Sequence, residues 1–350
     1  MRITLRADAD SELGSGHFYR CLSLADFAAR RGHVISFLGH VPNQLYALEI
    51  KKRCLSFKSI PSESRDLDGD TALTLNHLAE FRSDVIVVDR PNLVKQWEER
   101  IRRSGIRLVV IDDRPSRSHD VDLLISTALF FNNDSPLSWC VADGVPTLAG
   151  PTFLPLRPEF TADRSGERTG GSVSRVGAFF GGTDPGDQIA VVLAIAALPQ
   201  FAHIAFDIVC GALNHSFTKW TERCLALPNV SVVLSVPNMA DFWRGKDVAI
   251  GSYGMSAWER CAVGLPTIAT IQVPDQVDDA LALSAMGAVL DIGWSHELTA
   301  QGLAKALASL MSSPRQLVSM SLAASRVMED RQADSERCLA LIIGLEQTVL

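Results

Sequence analysis

The sequence predicts an α/β chain folded as two Rossmann-like domains that face each other across a cleft. Three observations predict it. Apolar strand-like runs alternate with amphipathic segments along nearly the whole chain, the pattern that connects parallel strands. The stretch 163–175, "DRSGERTGGSVSR", is polar and glycine-rich and divides that alternation in two. Each half also opens with a strand running into a glycine turn, "RADADSELGSGH" and "FFGGTDPGD". Folds of this kind bind ligands in the crevice at the carboxyl ends of their strands.

In chain order, the first half supplies the strand-like runs "MRITL", "VISFLG", "VIVVD", "LVVIDD" and "VDLLIS". Cys21, Leu22, Leu24, Ala25 and Ala28 have helical spacing after the first of these, and 92–105 is amphipathic. The second half supplies "VGAFFGG", "IAFDIVCG", "VSVVLSV", "DVAIGS" and "PTIATI", with helices over 187–198 and 255–263. Residues 315–350 are mainly helical in pattern. The expected organisation is an N-terminal domain over 1–162, a linker over 163–175, a C-terminal domain over 176–335 and a final helix over 336–350.

The 350 residues, 47% of them hydrophobic, suffice for two cores. The formal charge of −7 comes without a long basic run, which argues against nucleic acid or an anionic membrane as partner. The seven cysteines are scattered with no C-x-x-C pair, so neither a disulfide framework nor structural zinc is expected. With no signal-peptide pattern and no apolar run long enough to span a bilayer, the expectation is a cytoplasmic protein without a stable membrane anchor. Oligomeric state is left open.

Three turns carry candidate chemistry. In "GSGH", Gly14, Ser15 and Gly16 lead to His17 at the start of a helix, where free N–H groups favour anions. The positive helix end is expected to lower the His17 pKa, giving a neutral imidazole that can take a proton; a surface histidine is the blander reading. G-x-G-x-x-G is absent, which disfavours a nicotinamide cofactor, and no cofactor or metal is expected. In "FFGGTDPGD", Gly181 and Gly182 permit a close turn, and Thr183 or Asp184 either caps the next helix or approaches a substrate. In "GSYGMSAWER", Ser252, Tyr253, Gly254, Met255 and Ser256 turn into a helix whose free amides suit a pyrophosphate. Glu259 follows about one turn later, where a carboxylate suits two ribose hydroxyls, unless it only pairs with Arg260. Asp112 and Asp113 end a strand, where capping or ion pairing is the expected role.

Taken together, "RADAD…GSGHFYRCLSLAD", "VIDDRPSRSHDVDLLI", "LAGPTFLPLRPEF", "FFGGTDP" and "GSYGMSAWERCAVGLPTIATIQVPDQ" resemble the nucleotide-sugar hydrolases of pseudaminic acid biosynthesis, in matching order over roughly residues 1–300. Members of that family release UDP from UDP-2,4-diacetamido-2,4,6-trideoxy-β-L-altropyranose. The resemblance implies a GT-B-like fold related to MurG-type glycosyltransferases. It also implies a metal-independent hydrolase in which His17 acts on the attacking water. Arg6, Asp8, Gly14, Ser15, Gly16, Arg20, Asp89, Arg90 and Gly181 to Asp184 would then line the sugar side. Ser252 to Ser256, Glu259 and Gln276 would hold the nucleotide. The chain departs from the family where "VDRP" puts Pro91 in place of a tyrosine, where Tyr253 enlarges the serine-rich turn, and where Asp275 replaces an asparagine. "STALFFNND" likewise stands in place of an acid-glutamine-asparagine stretch. These departures imply a retained nucleotide half and an altered sugar half, with Arg90 offering a donor fork in the tyrosine's stead. A GT-B glycosyltransferase and a non-catalytic nucleotide-sugar binder are the alternatives.

Overall fold

A computed structural model describes residues 1–345 apart from 11–12, 54, 92, 114, 130–136 and 161–170. Most of the glycine-rich stretch over 163–175 and the "FFNND" end of "STALFFNND" therefore lie outside the described residues. The chain forms two compact units, Met1–Pro158 with Asp330–Leu350, and Glu159–Glu329.

The first unit carries seven parallel strands: β1 (Arg2–Ala7), β2 (Val34–Gly39), β3 (Ser56–Ser59), β4 (Val85–Asp89), β5 (Arg107–Ile111), β6 (Leu123–Ser126) and β7 (Thr147–Ala149). Their order is β3-β2-β1-β4-β5-β6-β7, so the winding reverses between β1 and β4. The helices are α1 (Gly16–Ala29), α2 (Gln44–Lys52), α3 (Leu67–Phe81) and α4 (Lys95–Arg102). β4, "VIVVD", is buried along its full length, as a central parallel strand covered on both faces must be. Its Ile86 and Val88 pack with Trp97 and Ile101 of α4 and Leu108 and Val110 of β5. Full burial of such side chains contributes roughly 1.5–3 kcal/mol each.

The second unit repeats the plan with β8 (Arg175–Phe179), β9 (Ala205–Val209), β10 (Val230–Val233), β11 (Val248–Ser252), β12 (Thr267–Ile271) and β13 (Val289–Trp294). The order is β10-β9-β8-β11-β12-β13, all parallel, with the reversal between β8 and β11. α5 (Gln188–Ala196), α6 (Phe217–Cys224), α7 (Met239–Arg244), α8 (Met255–Ala262), α9 (Val277–Ala285), α10 (Ala300–Met311) and α11 (Pro314–Val327) accompany it. The core joins Val176 and Ala178 of β8, Ile250 of β11 and Ile268 of β12 to Val192 and Leu193 of α5.

The last helix, α12 (Arg331–Ile342), starts before residue 336 and belongs to the first unit. Arg107 at the start of β5 donates to the carbonyls of Leu341 (2.9 Å) and Ile342 (3.1 Å), and Ser335 donates to the carbonyl of Thr152 (3.1 Å). Among the described residues, no helix is long and apolar enough to cross a membrane.

Candidate functional site

In the first unit, the chemistry gathers at the carboxyl ends of β1 and β4, the switch point where open α/β sheets take their ligands. α1 begins at Gly16, which puts His17 in its first turn. Gly14 adopts φ +73°, a left-handed turn that favours glycine, and its N–H bonds the carbonyl of Asp10 (2.9 Å). Gly16 needs neither unusual φ nor extra room. Ser15 hydrogen-bonds Tyr46 rather than capping the helix with its side chain.

β4 ends with Asp89, whose Oδ1 lies 2.7 Å from His17 Nδ1. Arg20, one turn along α1, donates Nε to Asp89 Oδ2 (2.7 Å) and Nη2 to Asp89 Oδ1 (2.6 Å). Its Nη1 reaches Asp113 Oδ2 (2.6 Å) and Thr127 Oγ1 (2.8 Å). Asp113 in turn accepts from the Thr127 N–H (2.7 Å). Of the capping and ion pairing weighed for it, Asp113 has the ion pairing. Arg20 and Asp89 are almost wholly buried, whereas the His17 side chain is 28% exposed. Asp89 holds Nδ1, so the opposite nitrogen, Nε2, is the one left for a proton from outside.

The electrostatics correct the expectation of a lowered His17 pKa. Burial does push it down, but the Asp89 charge and hydrogen bond outweigh burial, and the net shift is upward. Asp89, despite a burial that raises its pKa, is held down to about 2 by Arg20 and His17.

Beside this chain lies a second charged cluster, which holds Arg6, Asp8 and Arg90. Arg6 pairs with Asp8 and, through Nη2, with Asp70 Oδ2 of α3 (2.6 Å). Arg90 follows Asp89 and is shared between Asp70 Oδ2 (Nη1, 2.7 Å) and Asp8 Oδ2 (Nε, 2.9 Å). Asp8 Oδ1 also accepts the His40 N–H (2.7 Å), and the Trp97 indole donates to Asp70 Oδ1 (2.9 Å). All of these groups are buried. Arg90 thus pairs internally at the end of β4, its Nη1 hydrogen-bonded to Asp70 and its Nε beside Asp8. Pro91 is exposed. Asp70 and Trp97 complete the cluster and were not singled out in the sequence, because neither belongs to a motif.

In the second unit the candidate turns follow β8, β11 and β12. After β8, Gly181 takes φ +84°, and the carbonyl of Gly182 accepts the Leu213 N–H (3.0 Å). Thr183 is half-buried. Asp184 spends both oxygens on the first amides of α5, Gln188 N–H (3.0 Å) and Ile189 N–H (3.1 Å). It caps α5, the alternative weighed for it, and burial raises its carboxyl to about 6.

After β11, Gly254 at φ +95° turns the chain into α8. Met255 is half-buried and Ser256 and Glu259 are buried. The Tyr253 hydroxyl donates to Asp291 Oδ1 of β13 (3.0 Å), so the phenol ties the turn to the neighbouring strand. Gln276, just after β12, accepts the Gln272 N–H (2.8 Å) and donates to the Tyr253 carbonyl (3.2 Å). Arg260, buried within α8, donates to the carbonyl of Ser252 (2.6 Å) and to Ser256 Oγ (3.1 Å). Ser252, Tyr253, Ser256 and Gln276 are thereby joined in one braced turn. Among the described residues, no group of three His, Cys, Asp or Glu side chains is arranged to hold a metal ion.

No family model matches the chain. It is 21% identical over 315 residues to the spore coat polysaccharide biosynthesis protein SpsG of Bacillus subtilis, covering 89% of this chain and 90% of that one. It is 22% identical over 286 residues to an uncharacterized protein of Methanocaldococcus jannaschii; this covers 78% of the chain but 56%, about half, of that relative's length. Among solved structures it is similar to MurG of Acinetobacter baumannii (TM-score 0.64, 14% identity, 97% of this chain and 99% of that one). It is also similar to the spinosyn rhamnosyltransferase SpnG (TM-score 0.65, 15% identity, 97% and 99%). A third is the glycosyltransferase VinC, solved in complex with dTDP (TM-score 0.61, 15% identity, 98% and 98%). The two parallel-sheet units thus have the GT-B fold of these glycosyltransferases.

Proposed function

We propose that the chain is a nucleotide-sugar hydrolase that releases UDP, or another nucleoside diphosphate, from an amino-deoxy sugar in nonulosonic (pseudaminic-type) acid or other surface-glycan biosynthesis. The observation that carries the reading is the 2.7 Å contact between His17 Nδ1 and Asp89 at the switch point of the first unit. A carboxylate that accepts from Nδ1–H orients the imidazole and stabilises the imidazolium formed when Nε2 takes a proton. In the proposed step a water oxygen bonds to the anomeric carbon while the bond from that carbon to the diphosphate oxygen breaks. The water proton passes to His17, and the diphosphate leaves with the electron pair. In the second unit, the turn over Ser252–Ser256 and the start of α8 would receive the diphosphate, and Glu259 the ribose. Arg20 and Asp89 act on His17 and are positioning residues. No metal or organic cofactor is part of the scheme.

A glycosyltransferase is the second reading, favoured by the solved structures of the same fold, which are glycosyltransferases. There His17 would deprotonate an acceptor hydroxyl in place of water. One experiment separates the two. The protein is incubated with a panel of UDP-, dTDP-, GDP- and CMP-linked amino and deoxy sugars, and products are followed by NMR. Free sugar with nucleotide means hydrolysis. Nucleotide released only when an acceptor is added means transfer, and neither product on any donor would sink both. The substrate expected is related to the diacetamido-altrose compound but distinct from it. Pro91 supports this, because it brings neither the hydroxyl nor the N–H of the family's tyrosine. Best turnover on that compound itself would return the chain to the plain family substrate.

A further inference from the structure

Behind the turn that follows β11 sits a cation with no anion beside it. Arg260 is 1% exposed, and among the described residues no carboxylate oxygen lies within ion-pair distance of its guanidinium. Its hydrogen-bond partners are neutral, the Ser252 carbonyl and the Ser256 hydroxyl, and its buried Nε has no partner at all. The charge of Glu259 reaches it only at longer range, and burial lowers its pKa to about 10. A Cβ on Gly251 of β11 would lie 2.7 Å from both Arg260 Nη1 and the Phe179 carbonyl oxygen, so the guanidinium packs directly against the backbone of β11. Burying a cation against neutral oxygens is costly for stability alone, since a well-packed apolar side chain would fit such a place at less cost.

The geometry of the peptide explains what the arrangement does. In a trans peptide the C=O and the following N–H point to opposite sides, and the described chain has no cis peptide. Arg260 holds the Ser252 carbonyl, which turns the Tyr253 N–H away from the guanidinium. Gln276 holds the Tyr253 carbonyl, which turns the Gly254 N–H away from the amide. The carbonyls of Ser252 and Tyr253 are thus occupied from within, and the first amides of α8 have no partner inside the helix.

We propose that Arg260 is the positioning residue that makes the Ser252–Ser256 turn selective for the phosphates of a nucleoside diphosphate, by locking the Ser252 carbonyl inward and placing a positive charge with no ion-pair partner behind the turn. The inference rests on the reading of this turn as the nucleotide site. It separates phosphate recognition, served by Arg260, from nucleoside recognition, served elsewhere in the site.

Calorimetry with UDP and with uridine on the wild type, Arg260→Met and Arg260→Lys tests it. Arg260→Met is expected to raise the UDP Kd roughly 10–100-fold, the usual worth of a charge-assisted hydrogen-bond system, and to change uridine binding less than about twofold. Arg260→Lys keeps the charge but not the planar fork, and its UDP Kd is expected to lie between those of the wild type and Arg260→Met. An equal loss for UDP and uridine would mean a purely structural role, and unchanged UDP binding would remove the role altogether. Should Arg260→Met fail to fold, as judged by its melting curve, Arg260→Lys decides by the same comparison. If the folded wild type itself binds none of UDP, dTDP, GDP or CDP, the nucleotide reading falls and takes this proposal with it. That failure is told apart by occurring in the wild type.

Discussion

An imidazole with one nitrogen claimed by a buried carboxylate has a single nitrogen left for chemistry, and this is the condition of His17. His17→Asn is expected to lower the hydrolytic rate about 10²–10⁴-fold, the usual contribution of a general base. Calorimetric UDP affinity should stay unchanged, and a variant with near wild-type turnover would reduce His17 to a packing role. In the proposed scheme, Asp89 sets the pH at which that base works. The folded His17 pKa is raised above 6.5, so the neutral base accumulates, and the rate rises, with a midpoint above that value. Asp89→Asn removes the charge that raises it, and the midpoint is expected to move down while the plateau falls. A pH-rate profile whose midpoint does not move in Asp89→Asn would refute the assignment. The same shifts bear on stability. The His17 contribution is whole below 6.5 and fades as pH rises through its raised folded value. The Asp89 contribution is present above 3.8 and is lost as pH falls toward about 2. Sequence alone exposed His17 through the glycines before it. It could not expose the sign of its pKa shift, because Asp89 lies 72 residues away along the chain.

At the scale of elements, the turn after β8 shows one residue serving a helix where a ligand had been equally plausible. Asp184 accepts two amides of α5, and its removal by Asp184→Ala is expected to cost about 0.5–2 kcal/mol, the range for a lost cap. Its folded pKa of about 6 lies above the usual 3.8. By linkage, its contribution is full below 3.8 and is lost as pH rises through about 6. Asp184→Asn does not titrate, so urea midpoints of wild type and variant should diverge between pH 4 and 7, the wild type losing more as pH rises. Parallel profiles would show that the carboxylate is not strained by its burial. The elements themselves were legible where burial is two-sided. β2 and β4 match their apolar runs to the residue, "VISFLG" and "VIVVD". β3, "SFKS", is an edge strand with all four residues exposed, so no apolar run announced it. β13 was missed for a similar reason: it is an edge strand, largely half-buried, and Asp291 and Gly293 interrupt its apolar pattern.

At the scale of the whole molecule, the two units place their candidate chemistry in equivalent positions, at the carboxyl ends of the strands where each winding order reverses. Alternation and paired glycine turns made that duplication readable. The buried Arg6–Asp8–Asp70–Arg90 cluster was not readable, because Asp70 comes from α3 and meets the others only once β1 and β4 are side by side. The division of labour between the units yields the last prediction. If the nucleotide belongs to the second unit, Glu259→Ala should weaken UDP binding while His17→Asn does not. Hydrogen exchange on the full chain should agree. Bound UDP satisfies amides at the start of α8 that have no partner within the helix, so exchange should slow over 252–262. The α1 segment over 16–29 is anchored by its own hydrogen bonds and, in the proposed scheme, serves proton transfer rather than nucleotide binding, so UDP should leave it nearly unchanged. Protection confined to α1, with Glu259→Ala binding UDP as tightly as the wild type, would reverse the assignment and make the first unit the nucleotide half.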